Sequence, residues 1–272
     1  MVNKQNDLSL PSQNLMSMKE IIRNYQDALD VRNELAPKQT SGWHFLYRGH
    51  ASMGFKLLSM IGRKQPINGD WIDCERKCLN DFKDLVKDEN WLQYKIRSYN
   101  EDMFFLSIGR HIGLYCRLLD WTAKLETALY FAASDIEYKN EDGQLWVMCY
   151  PDSIDDRNAK VDPFEIDKLT LVKENYWSED DTPANNQPLG IARRFSQNGF
   201  FTISPTDQLT MPLDNLDTGD IHFVPFKIAA SAKEDILNYL ADYADYLHLS
   251  ASSLMDDDIR AINTKYFNNK KI

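Results

Sequence analysis

A chain of 272 residues, 43% hydrophobic and 12% aromatic, has ample material for a large core. Its formal charge of −10 argues against an extended nucleic-acid surface, because phosphate contacts need concentrated Lys and Arg, although a local basic pocket is compatible with it. Four cysteines without a Cys-x-x-Cys pair or a Cys/His cluster fit reduced thiols in a cytoplasmic protein better than a disulfide framework, and no apolar leader or membrane-length segment stands out.

Residues 1–16 read as a flexible N-terminus. Residues 17–266 read as one principal domain, and 267–272 as a basic tail expected to fray. Apolar groups at Met18, Ile21, Ile22, Tyr25, Leu29 and Val31 recur near the helical period, and Pro37 is expected to stop that helix. WHFLYRG follows as a strand ending at Gly49. From Trp71 to Tyr99 the spacing predicts a long helix or a pair. Cys74 and Cys78 share one face of it, and buried small residues suit them better than half a metal site. Phe104 to Gly113 continues helically, a turn is expected at Asp120 to Thr122, and LETALYFAAS reads as a helix. QLWVMCY is a strand. A polar excursion at about 151–188 reads as an irregular loop or lid. FFTIS and IHFVPFKI are strands, Ala232 to Tyr246 is a helix, and a shorter helix is expected at Asp256 to Tyr266. The order is mixed, so the expected class is α+β, with an N-terminal helix, a helical insertion and a central, mainly antiparallel sheet.

Four segments carry a resemblance. The first is Tyr47-Arg48-Gly49 within WHFLYRGH, followed by LLSMIGR ending at Arg63. The second is RHIGLYCRLLDWTAKLETALYFAAS, through His111, Gly113, Arg117 to Thr122 and Ala128 to Ala132. The third is RRFSQNGFFTIS, through Gln197, Gly199, Phe201 and Thr202, and the last is the strand-helix pair IHFVPFKI to YLADYADY. In this order they resemble the FRG-domain family, named after a Phe/Tyr-Arg-Gly motif. Arg110 stands where the family usually has glutamine, Tyr115 where proline is common, and Lys124 to Thr127 replaces an Asn-Pro turn. The family's frequent occurrence in bacteria implies a bacterial or phage conflict setting.

Read as chemistry, Arg48 beside Gly49 offers a planar five-donor cation next to an approachable backbone, suited to phosphate or carboxamide. The alternative is a structural pair with a carboxylate such as Asp120. His111 is either a base or ligand contact, or a packed histidine. Asp120 is expected to cap a helix or hold a pocket arginine, and Thr122 to cap or to present a pocket hydroxyl. Arg117 needs a partner wherever it is buried. Tyr130 and Phe131 fit the core, or one of them a nicotinamide-like pocket.

The order of these segments is also similar to the arginine, hydroxyl and glutamate layout of ADP-ribosyltransferases. That resemblance implies NAD as substrate, with Arg48 on the dinucleotide phosphate, Thr122 at the nicotinamide pocket and Gln197 in the glutamate's place. Gln197 lacks the anion that would stabilise an oxocarbenium-like transition state. The expected cofactor-binding residues are Tyr47, Arg48, Gly49, His111, Arg117, Asp120 and Tyr130, and the expected catalytic ones are Arg48, Thr122 and Gln197. The first functional expectation is an ADP-ribosyltransferase or NAD glycohydrolase, with a nucleotide ligand and, for transfer, a macromolecular acceptor. The second is a non-catalytic nucleotide- or protein-binding module using the same arginine-lined cleft. A metal-dependent hydrolase is disfavoured, because acids such as Asp256, Asp257 and Asp258 have no ligand spacing.

Overall fold

The computed structural model describes residues 21–39, 41–89, 100–154, 160–173, 199–242 and 256–271. Its centre is a seven-stranded sheet built from β1 (Ile21–Ile22), β2 (Trp43–His50), β4 (Leu118–Thr122), β5 (Gly143–Pro151), β6 (Thr170–Lys173), β7 (Gly199–Ile203) and β8 (His222–Ile228). The strand order is β1-β8-β5-β2-β4-β7-β6. Only the short β1–β8 contact is parallel, so the sheet is mainly antiparallel as the mixed element order implied. A second sheet pairs β3 (Lys64–Pro66) with β9 (Phe267–Lys271).

Six α-helices are found among the described residues: α1 (Tyr25–Gln39), α2 (Trp71–Val86), α3 (Glu101–His111), α4 (Leu125–Ala133), α5 (Ala232–Tyr239) and α6 (Asp256–Tyr266). Three start where an Asx side chain accepts a free backbone N–H: Asn24 takes that of Asp27 before α1, Asp70 that of Asp73 before α2, and Asn100 that of Met103 before α3. The helices fall into two groups. α1, α4 and α5 bury Val31, Leu129 and Ile236 against Phe45, Leu145, Val147 and Phe226 of β2, β5 and β8. α2, α3 and α6 bury Phe82, Phe104 and Ile259 against Leu118, Phe201 and Val172 of β4, β7 and β6. A third cluster, with Leu46, Trp121, Met148 and Phe200, lines the remaining surface of the strands.

Several sequence expectations change. The turn expected at Asp120 to Thr122 is strand β4, because Leu118, Leu119 and Trp121 are all buried and five residues pair with β7. The tail expected to fray forms β9, anchored by buried Phe267. Ile21 and Ile22 form a strand edge rather than the first helical turn, and α1 runs past Pro37 to Gln39. Within the polar excursion, Thr170 to Lys173 is a paired strand with Leu171 and Val172 buried. All four cysteines are buried and free, and burial pushes the Cys116 and Cys149 thiols up to about 12. No helix among the described residues is long and apolar enough to cross a membrane.

Candidate functional site

The two helix groups meet over the seam between β2 and β4, and there the sheet opens. β2 pairs with β5 along its whole length, from Trp43 with Pro151 to His50 with Gln144, and β4 pairs with β7 over five residues. Between β2 and β4 a single pair is in register, Tyr47 with Thr122. Beyond it the strands leave their ladder, and a cavity of about 540 Å³ occupies the gap, within the size range of small-molecule sites. Its wall takes Arg48, His50 and Phe55 from the β2 side, Asp120 and Thr122 from β4, Arg110 and His111 from the end of α3, Phe131 from α4, and Arg63.

Local sequence explains how the wall forms. Gly113 has φ +95, the left-handed region that closes a helix C-terminus; its N–H donates to the Arg110 carbonyl and that of Leu114 to the Gly109 carbonyl. This stop leaves Arg110 and His111 at the cavity. Gly49 serves packing more than ligand approach: a Cβ there would lie 1.8 Å from the Ala128 carbonyl oxygen of α4. Behind the wall, the buried Lys233 ammonium donates to the carbonyls of Ala51 (2.7 Å) and Tyr138 (2.6 Å), and Tyr138 packs its ring on Phe55.

The charges are tightly linked. Arg48 Nη1 donates to the Asp120 backbone carbonyl at 2.7 Å and lies 3.4 Å from Asp120 Oδ2, while Arg48 Nε donates to His50 Nε2 at 3.1 Å. Arg110 Nη2 donates to the same Asp120 Oδ2 at 2.5 Å. Burial acts to raise the Asp120 carboxyl, but the charges of Arg110, Arg48 and His111 outweigh it and hold the group below the usual carboxylate value. Burial, partly offset by Asp120, lowers Arg48 to about 10, which leaves it charged at neutral pH. His50 is lowered to about 3 by burial and then by Arg48 and Arg63, so its imidazole is neutral and its Nε2 free to accept. Arg63 donates through Nε and Nη2 to the Leu58 carbonyl, at 2.9 and 2.6 Å.

Of the expected site residues, the structure gathers Tyr47, Arg48, Gly49, His111, Asp120 and Thr122 on this one wall. Thr122 is buried and its hydroxyl oxygen accepts the Lys124 N–H; it stands three residues before α4 starts at Leu125, and Lys124 holds the cap position expected for it. Arg117 is elsewhere: it and Glu75 are both 0% exposed, with Arg117 Nε 2.7 Å from Glu75 Oε2 and its other donors on the carbonyls of Ser204 and Pro163. Tyr130 packs on Phe131 outside the cavity, and it is Phe131, 38% exposed, that faces in. Gln197 lies outside the described residues.

Sequence reasoning assigned no role to His50, Phe55, Arg63, Arg110 or Asp135, all of which line the cavity. His50 had a signal, since it follows Arg48 at the two-residue strand period. Arg110 had another, since it sits next to His111 where the family usually has glutamine.

No curated protein and no solved structure matches the chain. Residues 43–141 match the family model described as the FRG domain, a span running from the start of β2 past α4. That span holds every cavity-lining residue, and over it the chain is similar to the FRG domain.

Proposed function

We propose that the cavity between β2 and β4 binds a phosphorylated nucleotide, with NAD the first to be tested. The supporting observation is the charge of the wall: three guanidinium groups, Arg48, Arg63 and Arg110, against two carboxylates, Asp120 and Asp135. In a chain of net charge −10 this local excess of positive charge favours an anionic ligand. Phe131 adds an apolar face for a planar ring.

Turnover is the further step of this reading. Water or a macromolecular acceptor would displace nicotinamide from the ribose carbon, giving ADP-ribose or an ADP-ribosylated product and releasing the nucleophile's proton. The proximity of Arg48 and Thr122 supports that layout. The binding-module alternative is favoured by a different observation. Asp120 holds two arginines and Asp135 accepts the Glu137 N–H, so both cavity carboxylates already have partners.

Purified protein incubated with NAD separates these outcomes. A rise in melting temperature with free nicotinamide supports the enzyme, and the same rise without nicotinamide supports the module. Neither signal would refute the nucleotide site for NAD.

A further inference from the structure

The three cavity arginines are not equivalent. Arg48 is committed to the protein: Nε to His50 and Nη1 to both the carbonyl and the carboxylate of Asp120. It bridges the strands where the β2–β4 ladder has stopped. Arg63 and Arg110 differ. Arg63 donates only to carbonyl oxygens of Leu58 and Lys56, which satisfy its N–H groups without neutralising its charge. No carboxylate among the described residues lies within ion-pair distance of it. Arg110 is 14% exposed and uses Nη2 for Asp120, while its Nε is buried without a partner among the described residues. A buried N–H left in that state costs free energy that a ligand acceptor would recover.

We propose that Arg63 and Arg110 form a phosphoryl-anion site, at which a phosphoryl group bridges N–H donors of both, while Arg48 is a strut that holds the cavity open. The charge balance favours an anion: Arg48, Arg63 and Arg110 against Asp120 and Asp135 leave one positive charge in excess, and Asp135 already accepts the Glu137 N–H. The surroundings of Arg63 point the same way. Burial lowers its pKa first and the Arg110 charge lowers it further, offset in part by Asp120, so an anion beside Arg63 opposes both lowering effects. The planar guanidinium presents paired donors that match phosphate oxygens.

This inference deepens the nucleotide reading, but its probe is inorganic pyrophosphate, so that the two can fail separately. Titration calorimetry at low salt would follow pyrophosphate binding to the parent, Arg63→Gln, Arg110→Gln, Arg63→Lys and a distant control, Arg260→Gln. Arg260 is 72% exposed on α6, so that substitution removes the same charge away from the cavity. The expected result is binding to the parent, a loss of about tenfold or more in each cavity glutamine variant, a smaller loss in Arg63→Lys, and none in Arg260→Gln. Arg63→Lys keeps the charge, so it reports on the site even where Arg63→Gln folds poorly. Absence of pyrophosphate binding, or equal binding by the parent and Arg63→Gln, overturns the anion site. NAD titrated into the same proteins tests the other reading. Pyrophosphate binding that depends on Arg63 without NAD binding leaves the anion site standing and removes the dinucleotide, and NAD binding indifferent to Arg63 does the reverse.

Discussion

Arg48 Nη1 donates to the backbone carbonyl of Asp120 at 2.7 Å, across the seam where β2 and β4 stop pairing after Tyr47 and Thr122. A side chain thus supplies a cross-strand bond where the ladder has none. The same guanidinium faces the Asp120 carboxylate, which also holds Arg110 from the end of α3. One carboxylate therefore links both strands bordering the gap to the helix above it. Opening a sheet exposes backbone polar groups that would otherwise pair, and this cluster limits that cost while leaving room for a ligand.

Asp120→Ala should destabilise the fold by removing the shared partner of two partly buried cations. A fully buried pair broken on one side costs about 3 to 5 kcal/mol. Asp120 is 28% exposed, so water screens part of that loss and about 2 kcal/mol is expected. Urea unfolding of parent and variant measures it. An unchanged midpoint would mean that Arg48 and Arg110 are held by other contacts.

Gly49→Ala should be more severe although it adds one methyl group. The new carbon would sit 1.8 Å from the Ala128 carbonyl oxygen and 2.8 Å from the Ala132 nitrogen, both backbone atoms of α4. Neither can swing aside, so the helix must lift from β2, at a cost of at least about 3 kcal/mol. Thermal unfolding checks this. Near-parental stability would show that α4 packs on β2 more loosely than described.

Much of the fold is legible in local pattern. QLWVMCY and FFTIS announce strands, Gly113 announces a helix end, and the apolar stripe of LETALYFAAS announces α4. What local pattern hides is pairing. RLLDWT reads as a turn because Asp120 and Thr122 are turn-prone, yet its apolar residues are buried between β2 and β7, and tertiary burial decides. The tail fails for the same reason: YFNNKKI is polar, and only Lys64–Pro66, about 200 positions earlier, makes it a strand. The site divides likewise. Arg48, Asp120 and Thr122 could be chosen by residue type, whereas which arginine is neutralised depends on contacts such as Arg117 with Glu75 that no spacing reveals.

That buried pair gives a prediction of its own. Glu75 accepts the Arg117 N–H at 2.6 Å and its Nε–H at 2.7 Å, with both side chains 0% exposed. Glu75→Gln keeps an acceptor but strands the cation, and should cost about 3 kcal/mol or more. Arg117 lies outside the cavity, so the variant's affinity for pyrophosphate, per folded molecule, should equal the parent's. Weakened binding by fully folded variant would bring Arg117 back into the ligand site.

His50 carries the prediction for pH. Its imidazole is buried, and burial first, then the charges of Arg48 and Arg63, depress its pKa from an ordinary value near 6.5 to about 3. Between those values the unfolded chain binds a proton that folded His50 refuses, so this group's contribution to stability is fully present above about pH 6.5 and is lost as pH falls toward 3. The slope well inside the window is about 1.4 kcal/mol per pH unit. His50→Gln removes the titration while keeping an acceptor for Arg48 Nε, which the neutral imidazole accepts at 3.1 Å. Urea unfolding at pH 7 and pH 5 should therefore show the parent losing about 2 kcal/mol more than His50→Gln over that interval. Asp120 adds little to this difference, because its pKa lies below the ordinary 3.8 and it stays ionised throughout. The other histidines are common to both proteins and cancel in the comparison. Parallel loss in parent and variant would mean that His50 takes up its proton in the folded state, and Arg48 Nε would then need another acceptor.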